Sequence, residues 1–145
     1  MSCVFCKIVQ GELPSSQVYA DERFTAFMDV HPWRPGHVLV IPKKHLLRAR
    51  DLDPDDRAAL FEIAVAVGEA ARKSDLPCDD IQFMIQDGPA ANQSVPHLHL
   101  HVLPRKKGDL LRLLGQLARR PFVPILPPQK RERLDDHAAQ IRARL

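Results

Sequence analysis

Apolar and polar residues alternate most regularly along His97-Leu98-His99-Leu100-His101-Val102, where three imidazoles take every second place. A period of two is that of a strand with one face buried, and the pattern predicts a strand running from about Gln93 to Arg105. Residues on one strand face are spaced by roughly 6.6 Å, so three adjacent rings can reach one ligand or one another. Elsewhere the period changes. Cys3 to Val9 has the spacing of a short helical turn closed near Gly11, and Gln17 to Ala20 and Phe24 to Met28 read as strands joined through the polar turn Asp21-Glu22-Arg23. His31 to Gly36 holds two prolines and a glycine and is a loop, and His37 to Pro42 is a largely buried strand. Asp53-Pro54 is a helix start, with an N-cap followed by proline at the first helical position, and an apolar stripe runs from Leu60 through Ala71 to about Ser74. Ile81 to Gln86 is another strand, and Asp87 to Asn92 forms the turn into the histidine strand. Leu110 to Ala118 has helical spacing, Pro121 to Pro128 is a proline-rich linker, and Arg131 to Arg144 is a charged helix with a peripheral look.

Composition narrows the class without naming a chemistry. At 145 residues, 45% hydrophobic and 27% charged, the chain suits one globular domain with a real core. No apolar run approaches the roughly 20 residues of a membrane span, and the start lacks a charged segment followed by an apolar one, so a cytoplasmic location is expected. A formal charge of +3 with no dense basic run does not point to nucleic acid. Three cysteines form no disulfide framework, and Cys3-x-x-Cys6 fits a reducing compartment. Those two thiols supply half of a tetrahedral zinc site, or pack in reduced form, or act as a redox pair. The redox reading ranks last, since no strand precedes the pair.

The histidines carry the chemistry. Packing alone does not choose three imidazoles over valine or threonine, and each such group left unpaired on a half-buried face costs free energy. His37 starts a strand and could face the triad. Gln86, Gln93 and Ser94 border it, which suits an anionic substrate.

With these segments the chain resembles the histidine triad (HIT) family of hydrolases. The signature is His97 to Leu103, and Cys3-Val4-Phe5-Cys6-Lys7-Ile8, Ala26 to Asp29, Pro35 to His45 and Gln93-Ser94-Val95 match family segments in the family's order. Gln86 to Pro89 and Leu103 to Lys106 lean towards the fragile-histidine-triad branch, and the N-terminal cysteines with Pro42 to His45 lean towards the small nucleotide-binding branch. The resemblance covers residues 1–107 as a HIT domain and leaves 108–145 as a helical, proline-rich extension packing on it. It implies an α+β fold with a five-stranded antiparallel sheet and a main helix, paired into a homodimer.

The resemblance also implies a purine nucleotide site. Phe5, Ile8, Leu13 and Val30 would line a base pocket, Asp29 would accept from the ribose hydroxyls, and Gln86, Gln93 and Ser94 would hold the α-phosphate. His99 is the expected nucleophile, attacking the α-phosphorus of a phosphoramidate or dinucleoside polyphosphate to give a nucleotidyl-histidine that water hydrolyses. His37 and His101 would steady the phosphoryl oxygens, and the carbonyl of His97 would orient His99. In relatives with C-x-x-C, zinc is held by residues matching Cys3, Cys6, His45 and His97, a closed set that is structural rather than catalytic. Asn92 stands where the family often has glycine, so a left-handed asparagine is expected there. Two other readings are a nucleotide-binding interaction protein with little catalysis, and a metalloenzyme with all three triad rings on one zinc.

Overall fold

The structure, a computed structural model, describes residues 3–145. It is built on one antiparallel sheet of five strands: β1 (Gln17–Ala20), β2 (Phe24–Met28), β3 (Val38–Pro42), β4 (Asp80–Ile85) and β5 (Leu100–Arg105), in the order β1-β2-β3-β5-β4. The α+β architecture expected from the sequence is therefore present. β2 and β3 are buried at every position because both of their faces are covered. On one face, Phe24, Ala26, Met28, Val38, Val40, Leu100 and Val102 pack against helices α2 (Pro54–Arg72) and α4 (Arg131–Arg142). The other face carries Phe27, Leu39 and Ile41, which pack with Cys3 and Phe5 of the N-terminal turn and its helix α1 (Val4–Val9). The same alternation puts His101, opposite Leu39 in β3, on this second face.

Local signals set the element ends. The Asp53 side chain accepts from the Asp56 amide at 2.8 Å, and Pro54 follows at the first helical position. Gly36 has a φ of 82°, and a Cβ there would meet Leu76 at 2.9 Å and Pro104 at 3.1 Å, so the turn feeding β3 needs glycine.

Two expectations change. The pairing of β3 with β5 stops at Leu100, so His97 to His99 precede the regular strand, with a bend at His97. The cause is local: the His97 ring takes the Pro42 carbonyl at 2.8 Å, and the Leu98 amide donates to the Leu46 carbonyl at 2.6 Å. The C-terminal helix is also not peripheral. Leu134, Ala138 and Ile141 of α4 are fully buried in the main core, against β1, β2 and α2. Its charged residues form only the outer face, and Ser16 ties it down by donating to Asp135 at 2.6 Å. The proline-rich stretch contains a 3-10 segment over Arg120–Ile125.

The loop before β3 is anchored from the far end of β5. Asp109, almost wholly buried, forms an ion pair with Arg34 Nε at 3.1 Å and accepts from Arg105 Nη2 at 2.6 Å, and Arg105 also reaches Gln82. Asp109 sits just before helix α3 (Leu110–Ala118), so one carboxylate joins the loop, the strand and the extension. Asp109→Asn leaves two guanidinium groups without their counter-charge, and the unfolding free energy at pH 7 is expected to fall by roughly 2–4 kcal/mol. The hydrogen bonds from Arg105 hold the Asp109 carboxyl down at about 2. Its contribution is therefore complete above the ordinary carboxylate value of about 4 and is lost as pH falls towards 2. Urea unfolding of both proteins at pH 7, 4 and 2 should show the gap between them closing, and a constant gap contradicts the assignment.

Candidate active site and metal cluster

The three triad rings do not converge on one ligand. His99 and His101 lie with ring centroids 4.9 Å apart, whereas His97 turns towards His45, at 5.1 Å, and the two cysteines. Among the described residues this divides the triad into two centres, and a site with all three rings on one metal does not form.

Hydrogen bonds settle the proton positions in the first centre. His99 Nδ1 lies 2.7 Å from the His97 carbonyl, which can only accept, so Nδ1 carries the proton and the neutral ring keeps its lone pair on Nε2. The Trp33 amide can only donate, and it points at His37 Nδ1 from 3.1 Å. Asp29 Oδ2 stands farther from the same nitrogen, at 3.7 Å. His37 therefore carries its proton on Nε2 and donates it to His101 Nδ1 at 2.9 Å. That acceptor leaves the His101 proton on Nε2. One imidazole of the site thus offers a lone pair and its neighbour a donor, a pairing suited to nucleophilic attack beside a developing negative charge.

These rings open into a cavity of about 570 Å3. Phe5, Ile8, Leu13 and Val30 line it, as do Asp29, Ser94, His99 and His101. Phe5 meets the His99 ring edge-on at 5.4 Å, so α1 forms part of the wall against the reacting centre. The volume and the largely apolar wall with a few polar groups suit an organic ligand. Asp29 keeps Oδ1 on the His31 amide at 2.8 Å. His37 does not line the cavity and lies behind His101, in contact with its Nδ1. Gln86 and Gln93, expected at the phosphate, do not line this cavity: Gln93 Nε2 donates to the Leu47 carbonyl at 3.0 Å, which turns its amide away. Asn92 does adopt the left-handed conformation, with φ 63°.

The sequence reading missed Trp33, whose indole stacks on His101 at 5.1 Å with the planes 15° apart. It is the single tryptophan of the chain and sits between Pro32 and Pro35, shortly before His37, a signal that was open to reading. It also missed Arg131 and Pro124, which bring the extension to the cavity rim. Nothing in the local sequence marks those two.

The second centre is Cys3, Cys6, His45 and His97, whose ligand atoms all lie within 4.8 Å of one another. His97 Nδ1 is 3.5 Å from Cys3 Sγ and 3.7 Å from Cys6 Sγ, and His45 Nδ1 is 3.2 Å from Cys6 Sγ. Zinc with bonds of about 2.0–2.3 Å places tetrahedral ligands about 3.3–3.8 Å apart, so the set fits the ion almost as it stands. Because His97 Nε2 donates to Pro42, Nδ1 presents a lone pair to the thiols, the outer-shell arrangement common for metal-bound imidazole. Burial holds the His97 imidazole below its ordinary pKa, with His45 and His99 pushing the same way against the Pro42 hydrogen bond.

A family model described as HIT domain matches residues 10–108. An uncharacterized HIT-like protein of Mycobacterium tuberculosis is 41% identical over 121 residues, 83% of this chain and 83% of that protein. A protein named adenylylsulfatase HINT3 from Arabidopsis thaliana is 35% identical over 109 residues, 75% of this chain and 55% of its own length. A solved structure described as a Zn-bound histidine triad family protein from Mycobacterium smegmatis superimposes with a TM-score of 0.80 at 37% identity, covering 99% of this chain and 92% of that one.

Proposed function

Because the chain belongs to the HIT domain family, the histidine triad proteins, we propose that it hydrolyses a purine nucleotide conjugate at the α-phosphate through a nucleotidyl-histidine intermediate. One observation carries the reading: the His97 carbonyl fixes the proton of His99 on Nδ1 and so reserves Nε2 for attack. Nε2 forms a bond to the α-phosphorus as the bond to the leaving group breaks, and the leaving group departs with the electron pair. The His101 Nε2 proton meets the phosphoryl oxygen as its charge grows, and His37 holds that tautomer from behind. Ser94 can pass a proton to a departing amine. Water then attacks the phosphorus, releases the mononucleotide and restores His99. Phe5, Ile8, Leu13 and Val30 hold the base, and Asp29 accepts from the ribose. The name adenylylsulfatase carried by the Arabidopsis relative fits a nucleotidyl-linked substrate.

Cys3, Cys6, His45 and His97 would hold zinc, which would supply a structural cross-link and no reacting group. The Zn-bound description of the mycobacterial structure is in keeping with that role. Phe61 on α2 and Ile85 at the end of edge strand β4 are exposed large apolar residues, and they support a homodimer formed through that side. No described helix is long and apolar enough to cross a membrane.

The test is acid quenching during turnover of adenosine 5'-phosphoramidate, followed by peptide mass spectrometry. The expected result is one adenylyl group on His99. An adduct on another residue, or AMP release with no adduct at any quench time, contradicts the intermediate.

A further inference from the structure

A second cavity of about 280 Å3 lies beside the first, between the loop after β2 and the C-terminal extension. Val30, His31 and Trp33 line both, so the two spaces adjoin at the loop whose indole stacks on His101. Its other wall comes from Gln116 of α3, from Arg119 at that helix's C-terminus, and from Gln129 and Lys130. These residues lie beyond the matched domain at 10–108.

The wall is built rather than incidental. Leu113 and Leu117 of α3 pack with Trp33 and Leu103, and the Gln129 amide donates to the Val30 carbonyl at 2.8 Å. The extension is thereby fixed to the loop that carries Trp33. The chemistry of the lining has one sign: Arg119 and Lys130 are cationic, Gln116 and Gln129 are neutral donors, and no carboxylate among the described residues lines the space. The first cavity differs, holding Asp29 and an apolar wall around Phe5, Ile8 and Leu13. At the small end of ligand-sized pockets, the second space suits one charged part of a molecule rather than a whole one.

We propose that this second cavity is a subsite for a phosphate-bearing leaving group, occupied by the part of the substrate that departs when His99 attacks. The inference rests on the hydrolase reading, since it takes the α-phosphate to lie against His99 and His101. From there a chain of further phosphates runs over His31 and Trp33 into the cationic space. On cleavage the bond between the α-phosphorus and the bridging oxygen breaks, and the electron pair stays on the departing phosphate. Arg119 and Lys130 stabilise that added negative charge. A neutral amine leaving group gains nothing there. The extension thus sorts substrates by the charge of what leaves, while the HIT domain recognises what stays.

Calorimetry on the His99→Ala chain, which keeps both cavities, compares AMP with diadenosine triphosphate. The expected result is that the dinucleotide binds at least about tenfold tighter than AMP, as one or two charge-assisted contacts give. In His99→Ala carrying Arg119→Gln and Lys130→Gln that advantage falls to about threefold or less, while AMP binding changes little. Raising the salt concentration shrinks the advantage in the parent and not in the triple variant. Both cations are exposed, and an unchanged melting temperature verifies that the fold survives. If AMP binds but the dinucleotide gains nothing, or if its advantage survives both substitutions, the subsite is overturned and the hydrolase reading stands. If neither ligand binds, both fail.

Discussion

Cys3→Ser is expected to strip zinc from the protein and to lower its stability by roughly 4 kcal/mol, the amount lost with an ion present at about 1,000 times its dissociation constant. The wild-type chain should carry one zinc per chain by elemental analysis, and a strong chelator should lower its melting temperature to that of the variant. The physical reason lies in what the four ligands join. Cys3 and Cys6 bracket the start of α1, His45 follows β3, and His97 precedes β5, so one ion would cross-link three segments far apart in sequence. The effect should reach the active site. His97 uses its ring for the cluster and its carbonyl for His99, and Phe5 touches both rings. Zinc loss should therefore lower kcat by about tenfold, through the looser placement of His99, without removing any reacting group. A folded, metal-free chain whose melting temperature ignores the chelator contradicts the zinc assignment.

Much of this was legible before any coordinates. The period-two run at His97 to Val102 identified β5, the Asp53-Pro54 cap identified α2, and Leu110 to Ala118 coincides with α3. The family segments placed Phe5, Ile8, Leu13, Asp29, Val30 and Ser94 around one cavity. Other features were hidden because they depend on non-local packing. That His97 turns away from His99 follows from the Pro42 carbonyl and from two thiols more than ninety residues earlier, which strand alternation does not contain. The burial of α4 rests on three apolar residues, Leu134, Ala138 and Ile141, with His137 buried beside them, scattered among charges that dominate its sequence. Gln93 looked like a phosphate ligand by position, but its amide is taken by the Leu47 carbonyl. The second cavity forms only where the extension folds back on Trp33, and its cations come from two separate segments.

The reading as a whole turns on His99, and its replacement has the largest expected effect on activity. In His99→Ala the pocket wall keeps Phe5, Asp29, Ser94 and His101, and His101 cannot take the place of His99 because its lone pair at Nδ1 is taken by His37. The loss should fall on the chemical step rather than on binding, the signature of a group used only in the transition state. Removal of a nucleophile typically costs 10^4-fold or more, and water attacking directly lacks the orientation the ring provides. The decisive measurement is AMP release from adenosine 5'-phosphoramidate by wild type and His99→Ala, with AMP affinity measured on the same preparations. The expected result is a fall in kcat of at least about 10^4-fold with AMP affinity within about threefold of wild type. Turnover that survives the substitution within about tenfold would show that His99 does not attack phosphorus, and the hydrolase reading would fall with it.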